Sequence, residues 1–226
     1  MKRIMTAAAA LLAATGFAGT AQAQDNGPAG TLQVKVLATG VLPDGKISEV
    51  KVDAIGLPAG TDTTANDNFV PTVAVEYFFS NNFSVETICC LTTHHVTGTG
   101  AIDGAEIADH VMILPATVTL KAHVDLGGGI KPYVGAGPTL FFFIDEKPGA
   151  TAQLLGADSL KIDDTFGIAL QAGVDIPVGE KLGVSLDAKR YFLKPVTHFY
   201  AGTTEALSTK HDLDPWVISG GVYFRF

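Results

Sequence analysis

Six histidines (His94, His95, His110, His123, His198 and His211) and two adjacent cysteines, Cys89 and Cys90, are the side chains of this sequence best suited to hold a metal or carry a nucleophile. Such centres need their members within reach of one another, which in sequence shows as close, periodic spacing. The nearest approach is Cys90 with His94, which share one face of an extended segment. The other histidines fall mostly at the edges of polar loops, with no helix-spaced pair. Cys89 and Cys90 point to opposite faces of a strand, so a bridge between them would be strained and would tie nothing together. Intermolecular pairing and metal binding stand as functional options for them beside the plainer role of small apolar residues. Gly135-Ala136-Gly137 has the first glycines of a dinucleotide fingerprint but neither its third glycine nor the helix that must follow. The sequence therefore directs attention away from catalysis: the expectation is no enzyme, no cofactor and no metal.

The elements that would position these residues are strands. From Asp214 to Phe226, Trp216, Ile218, Val222, Phe224 and Phe226 alternate with Val217, Ser219, Gly221, Tyr223 and Arg225, giving one apolar face and one wetter face. The last strand of a soluble sandwich would alternate in the same way. Seven further segments repeat the pattern, running from about Thr31–Leu42, Phe69–Phe79, Phe83–Val96, Val111–Leu126, Lys131–Phe143, Phe166–Ile176 and Leu182 onward. Turns at Ser80–Asn82, Gly127–Gly129 and Val178–Glu180 are short, whereas the stretches 43–68, 97–108, 144–163 and 195–211 read as long polar loops. An even strand count with long and short connections in alternation matches an all-β, eight-stranded, antiparallel, up-and-down transmembrane β-barrel.

Composition agrees. Charged residues are 17% of the chain and mean hydropathy is positive, yet beyond the amino-terminal run no stretch is long and apolar enough for a spanning helix. Dispersed apolar residues suit strands that bury only alternate side chains in lipid. A net charge of -8 argues against nucleic acid as a partner. Lys2 and Arg3, the apolar run from Ile4 to Phe17 and the small-x-small Ala21-Gln22-Ala23 predict a signal peptide over residues 1–23, cut after Ala23, and a barrel domain over 24–226. The expected location is the bacterial outer membrane, with its lipid as surroundings.

With apolar faces turned to lipid, the inward set carries Lys35, Glu76, Glu86, Lys121, His123, Asp125, Asp175, Asp187, Lys189 and Arg225. Both signs are present, so the charges can pair across a narrow interior.

Several segments together resemble the OmpW family of small outer-membrane barrels, which includes AlkL-type proteins. They are Lys131-Pro132-Tyr133-Val134-Gly135-Ala136-Gly137, Ala169-Leu170-Gln171-Ala172-Gly173-Val174-Asp175, and Leu213-Asp214-Pro215-Trp216-Val217 through Phe226. Leu114-Pro115-Ala116-Thr117 is similar to the family's Leu-Pro-Pro-Thr with the second proline replaced. The resemblance implies an apolar interior passage for small hydrophobic solutes, with sideways release into the membrane as one route. Pro115 suits such a route, because proline lacks a ladder donor and is tolerated where pairing is interrupted; it would equally suit a plain bulge. Candidate channel-lining residues are Leu37, Ile88, Pro115, Tyr133, Phe141, Tyr191 and Tyr223, each of which could instead fill a closed interior. The alternative reading is a plugged structural or receptor-like barrel whose external loops bind partners; a lipid-modifying barrel enzyme is the third. Phe226, with Phe224 and Val222 before it, resembles the signal read by the barrel-assembly machinery.

Overall fold

The computed structural model describes residues 28–226; the expected signal peptide lies outside these residues. Fourteen strands and one short helix follow one another in this range. Eight of the strands form the closed ring: β1 (Leu32–Leu42), β4 (Asn68–Phe78), β5 (Phe83–Cys89), β7 (Glu106–His123), β8 (Lys131–Pro148), β10 (Thr165–Pro177), β11 (Leu182–Phe192) and β14 (Trp216–Arg225). They pair antiparallel in the order β7-β5-β4-β1-β14-β11-β10-β8, and β8 pairs back onto β7. The first and last strands meet over ten register pairs, from Gln33 opposite Arg225 to Leu42 opposite Trp216. Beyond them the main-chain N–H groups of Leu32 and Phe226 each donate to the other residue's carbonyl oxygen. Closure leaves no edge, which is the condition for placing strands in hydrocarbon.

Alternation is inside-out relative to a soluble protein. Leu120 is 56% and Val134 63% exposed, while Glu76 and Lys121 are 0% exposed. Apolar side chains outward and charges inward are stable only where the outside is lipid and the inside supplies partners.

The segments read as long polar loops are mostly strand, which corrects the sequence reading. Residues 43–68 hold β2 (Lys46–Asp53) and β3 (Thr61–Ala65); β9 (Ser159–Ile162) lies in the 144–163 stretch, and β12 (Val196–Ala201) and β13 (Thr204–Asp212) in 195–211. The helix α1 (Ala150–Leu154) occupies part of the 144–163 stretch as well. β2, β13, β12 and β9 make a separate four-stranded sheet. Their alternation is hard to see because the register shifts at Ser208/Thr209, Lys210/His211 and Phe199/Tyr200, and each shift moves the apolar set out of phase. The expected strand from Phe83 to Val96 is likewise two strands, β5 and β6 (Thr92–Gly100), with Cys90 and Leu91 between them. β7 and β8 run past their expected outer ends, 18 residues each. At about 3.3 Å per residue that is roughly 60 Å of strand, twice the hydrocarbon thickness, so even when tilted by about 45° their outer ends stand beyond the hydrocarbon core. The four-stranded sheet, β3, β6 and α1 surround these outer ends, on the side away from the short turns.

Glycine facing the interior is a packing requirement here. A Cβ on Gly137 would overlap the Val118 carbonyl, and one on Gly173 would overlap the Tyr133 hydroxyl of its register partner. Crowding thus explains Gly135-Ala136-Gly137 without a nucleotide.

Candidate functional site

The interior divides into layers along the barrel axis. Nearest the short turns lies a layer of charge. Glu76 and Glu86 are each a few residues from the Ser80–Asn82 reversal, and Lys121 and Asp175 are similarly close to the next two short turns. Lys35 Nζ lies 2.9 Å from Glu76, 3.1 Å from Glu86 and 3.3 Å from Asp175. Lys121 Nζ sits 2.8 Å from Glu76 and 2.9 Å from Glu86, and Lys189 bridges Glu86 at 3.0 Å and Asp187 at 2.7 Å. The amide of Gln171 donates to Glu86 and to Asp187, while its oxygen accepts from Thr119. Gln33 donates to Asp175, and its oxygen accepts from Arg225, whose guanidinium completes the layer at half-burial. Three lysines pair with four carboxylates, and Arg225 joins them through Gln33. Buried charges are retained at tolerable cost only when paired and hydrogen-bonded in this way.

Two expected lining residues belong to this layer. The Tyr133 hydroxyl donates to Asp187 at 2.8 Å, and its ring lies 3.6 Å beneath Lys121 Nζ. Tyr223 is buried beside Arg225, whose guanidinium carbon is 5.2 Å from the ring centre. His123 is also here, with Nε2 3.1 Å from Glu76 and Ser84 within 2.8 Å. Asp125, expected inside, lies past the end of β7 with its side chain half exposed, 3.6 Å from Lys131; a strand that ends at His123 cannot hold it in the lumen.

Above the charges the walls become apolar. A small inner chamber of about 20 Å³ is lined by Val41, Ile88, Cys90, Pro115, Phe141, Tyr191 and Val217 among others. Four of the expected lining residues therefore meet there: Ile88, Pro115, Phe141 and Tyr191. Leu37 is buried in the apolar cluster that surrounds it. Further out is a larger chamber of about 90 Å³, enclosed by the outer strands and walled by Ile47, Val96, Val111, Phe143, Leu160, Ile162 and Phe199, with Thr and His interspersed. His94, Ile113 and Leu213 line both chambers and form the ring between them. Sequence reading missed the outer chamber entirely, because its walls come from segments whose periodicity the bulges break.

Most polar groups of these walls are turned onto the protein. His211 is set by the Gly45 carbonyl, 3.2 Å from Nδ1, so Nδ1 donates and Nε2 accepts from the Thr209 hydroxyl at 2.8 Å. Burial lowers its pKa from the usual histidine value, against the pull of that carbonyl. His94 is held alike, with Nδ1 2.7 Å from the Asn66 carbonyl and Nε2 3.0 Å from Thr92.

Beside the inner chamber the barrel wall is incompletely paired. β5 pairs with β7 as far as Ile88 opposite Thr117, and β6 resumes at Thr92 opposite Ile113. Leu114, Pro115 and Ala116 thus have no partner on that side, where Cys90 and Leu91 pass. Cys90 and His94 both line the inner chamber. Among the described residues, the group of three possible metal ligands that converges is instead Glu76, His123 and Asp175. The two carboxylates there already accept from lysine, serine and glutamine, so the arrangement is that of an ion-pair layer.

A closed barrel with a lipid-facing exterior, a charge-filled inner end and apolar chambers outward of it defines an outer-membrane β-barrel protein. The chain belongs to the OmpW family, whose model matches residues 28–226. An uncharacterised outer-membrane protein, y4mB, of Sinorhizobium fredii is 32% identical over 231 residues, covering 99% of this chain and 97% of that protein. A dibenzothiophene metabolism operon protein of Pseudomonas aeruginosa is 27% identical over 180 residues, 79% of this chain and 81% of that one. Among solved structures, the outer-membrane protein OprG of Pseudomonas aeruginosa superposes with a TM-score of 0.79 at 24% identity, covering 89% of this chain and 98% of that one. That likeness is one of fold. The protein is located in the outer membrane, in contact with its lipid.

Proposed function

We propose that this barrel is a passive passage for small hydrophobic molecules, which enter the outer chamber, pass the ring of His94, Ile113 and Leu213, and leave sideways through the unpaired stretch at Leu114–Ala116. The observation that carries the proposal is the juxtaposition of the inner chamber with that stretch, directly above a charge layer. An apolar constriction resists water and ions but not a greasy solute, and the charge layer resists the greasy solute in turn. A solute arriving at Pro115 therefore meets lower resistance toward lipid than along the axis. The operon name of the Pseudomonas relative points to the same class of molecule. No catalytic group, cofactor or metal is needed, since movement down a gradient requires only a path.

The test is uptake of a hydrocarbon by cells lacking the protein, restored by the wild-type chain, with single-channel conductance measured in parallel. Restored uptake with negligible ion conductance is the expected outcome. Pro115→Val, which returns a ladder donor to the gap, should reduce uptake while leaving the amount of folded barrel unchanged. Uptake indifferent to deletion would reject the passage. It would favour the plugged, receptor-like alternative, which the closed inner layer also suits and whose binding surface would be the outer strands.

A further inference from the structure

The outer chamber's polar residues are Thr61, Thr63, His94, Thr197, Thr209 and His211. Five have protein partners. Thr61 donates to the Pro58 carbonyl and Thr63 to the Gly45 carbonyl; Thr209 and His211 bond each other, and His94 is held by Asn66 and Thr92. Thr197 is the exception among these six: no protein group hydrogen-bonds its hydroxyl, which is not sealed off from the chamber. It is the second residue of β12, opposite Thr209 on one side and Ile162 on the other, and faces the same way as Phe199. With no protein partner, that hydroxyl is free to bond whatever occupies the chamber. Valine has the same shape and would line the chamber equally well for a plain hydrocarbon.

We infer that Thr197 is a specificity-determining residue, and that the chamber takes small neutral hydrophobes carrying one hydrogen-bond acceptor, such as an alcohol, phenol or ketone oxygen, in preference to the parent hydrocarbon. The inference rests on the passage reading above and narrows its solute class. The other polar groups already have protein partners: each histidine sets Nδ1 against a carbonyl and Nε2 against a threonine hydroxyl. A solute oxygen reaching β12 therefore meets one donor, the Thr197 hydroxyl, while its ring or chain lies against Phe143, Phe199 and Leu160.

The experiment uses the full chain in lipid nanodiscs with two probes of matched shape, naphthalene and 2-naphthol, titrated by their fluorescence and corrected against empty nanodiscs. One neutral hydrogen bond predicts that the wild type prefers 2-naphthol by about three- to tenfold. Thr197→Val and Thr197→Ala should bring that ratio close to one, and Thr197→Ser should keep it. Heat-modifiable migration checks that each variant is folded. A wild-type ratio near one, or a preference that survives both hydroxyl-less variants, overturns the role of Thr197 while leaving the passage standing. If neither probe binds the wild type, the chamber is not a solute site, and the passage reading falls with the inference.

Discussion

Replacing Glu86 by glutamine keeps the shape of the side chain and removes one charge from the middle of the ion-pair layer. Three ammonium groups lie within 3.1 Å of its carboxylate oxygens, and the Gln171 amide donates to it at 2.8 Å. At an effective dielectric near 20, each contact at that distance amounts to ~5 kcal/mol of gross attraction, most of it cancelled by the desolvation of the partners. After substitution Lys35, Lys121 and Lys189 each keep another carboxylate but lose a charge-assisted contact that glutamine replaces only in part, a loss of about 1.5–3 kcal/mol. Glu86→Gln should therefore lower the stability of the folded barrel by that amount. The assay is urea titration in lipid vesicles, followed by the fluorescence of Trp216, the chain's one tryptophan, which lies on the lipid face of β14. Lys121→Met should be comparably damaging alone, and the double variant should recover a large part of the loss, because it removes an ammonium and a carboxylate together. A loss below about 1 kcal/mol in both single variants would mean that water solvates the layer. The account of a closed inner end would then be wrong.

Three further outcomes follow from the packing and the chain ends. Gly173→Ala sets a methyl against the Tyr133 hydroxyl and the Leu186 carbonyl, so it should cost about 1–3 kcal/mol in the same titration; a neutral result would show that Tyr133 is free to move. Deleting Phe226 removes main-chain hydrogen bonds to Leu32 together with the aromatic end, and should reduce folded protein in the outer membrane as read by heat-modifiable migration; undiminished assembly would reject its role as a signal. His211 should make the outer strands sensitive to acid. Its folded pKa lies below the unfolded value of about 6.5, so the unfolded form binds the extra proton first, and stability present above that pH is lost as pH falls through the folded pKa. Protection factors for hydrogen exchange at Gly45 and its neighbours, corrected for the intrinsic rate at each pH, should fall on acidification in the wild type and not in His211→Gln; equal behaviour of the two would assign the effect elsewhere.

The sequence by itself determined the barrel. Strict alternation in β1, β4, β10, β11 and β14 identifies the lipid face, because a side-chain period of two leaves no freedom about which residues share a side. It also determined that Lys35, Glu76, Glu86, Lys121, Asp175, Asp187 and Lys189 point inward, since each lies on the wetter face of its strand. Which ammonium meets which carboxylate was decided only by the register between strands far apart in the chain, such as β1 with β4 and β10 with β11. The same holds for Tyr133 and Tyr223, which the one-dimensional pattern groups with Phe141 and Tyr191 but which closure places among the charges. The outer chamber and Thr197 depend wholly on tertiary structure. β2, β9, β12 and β13 are short, polar and in part bulged, so no local period reveals them; they are strands because each finds a partner and together they cover the open end of a ring that is itself only complete once β1 meets β14.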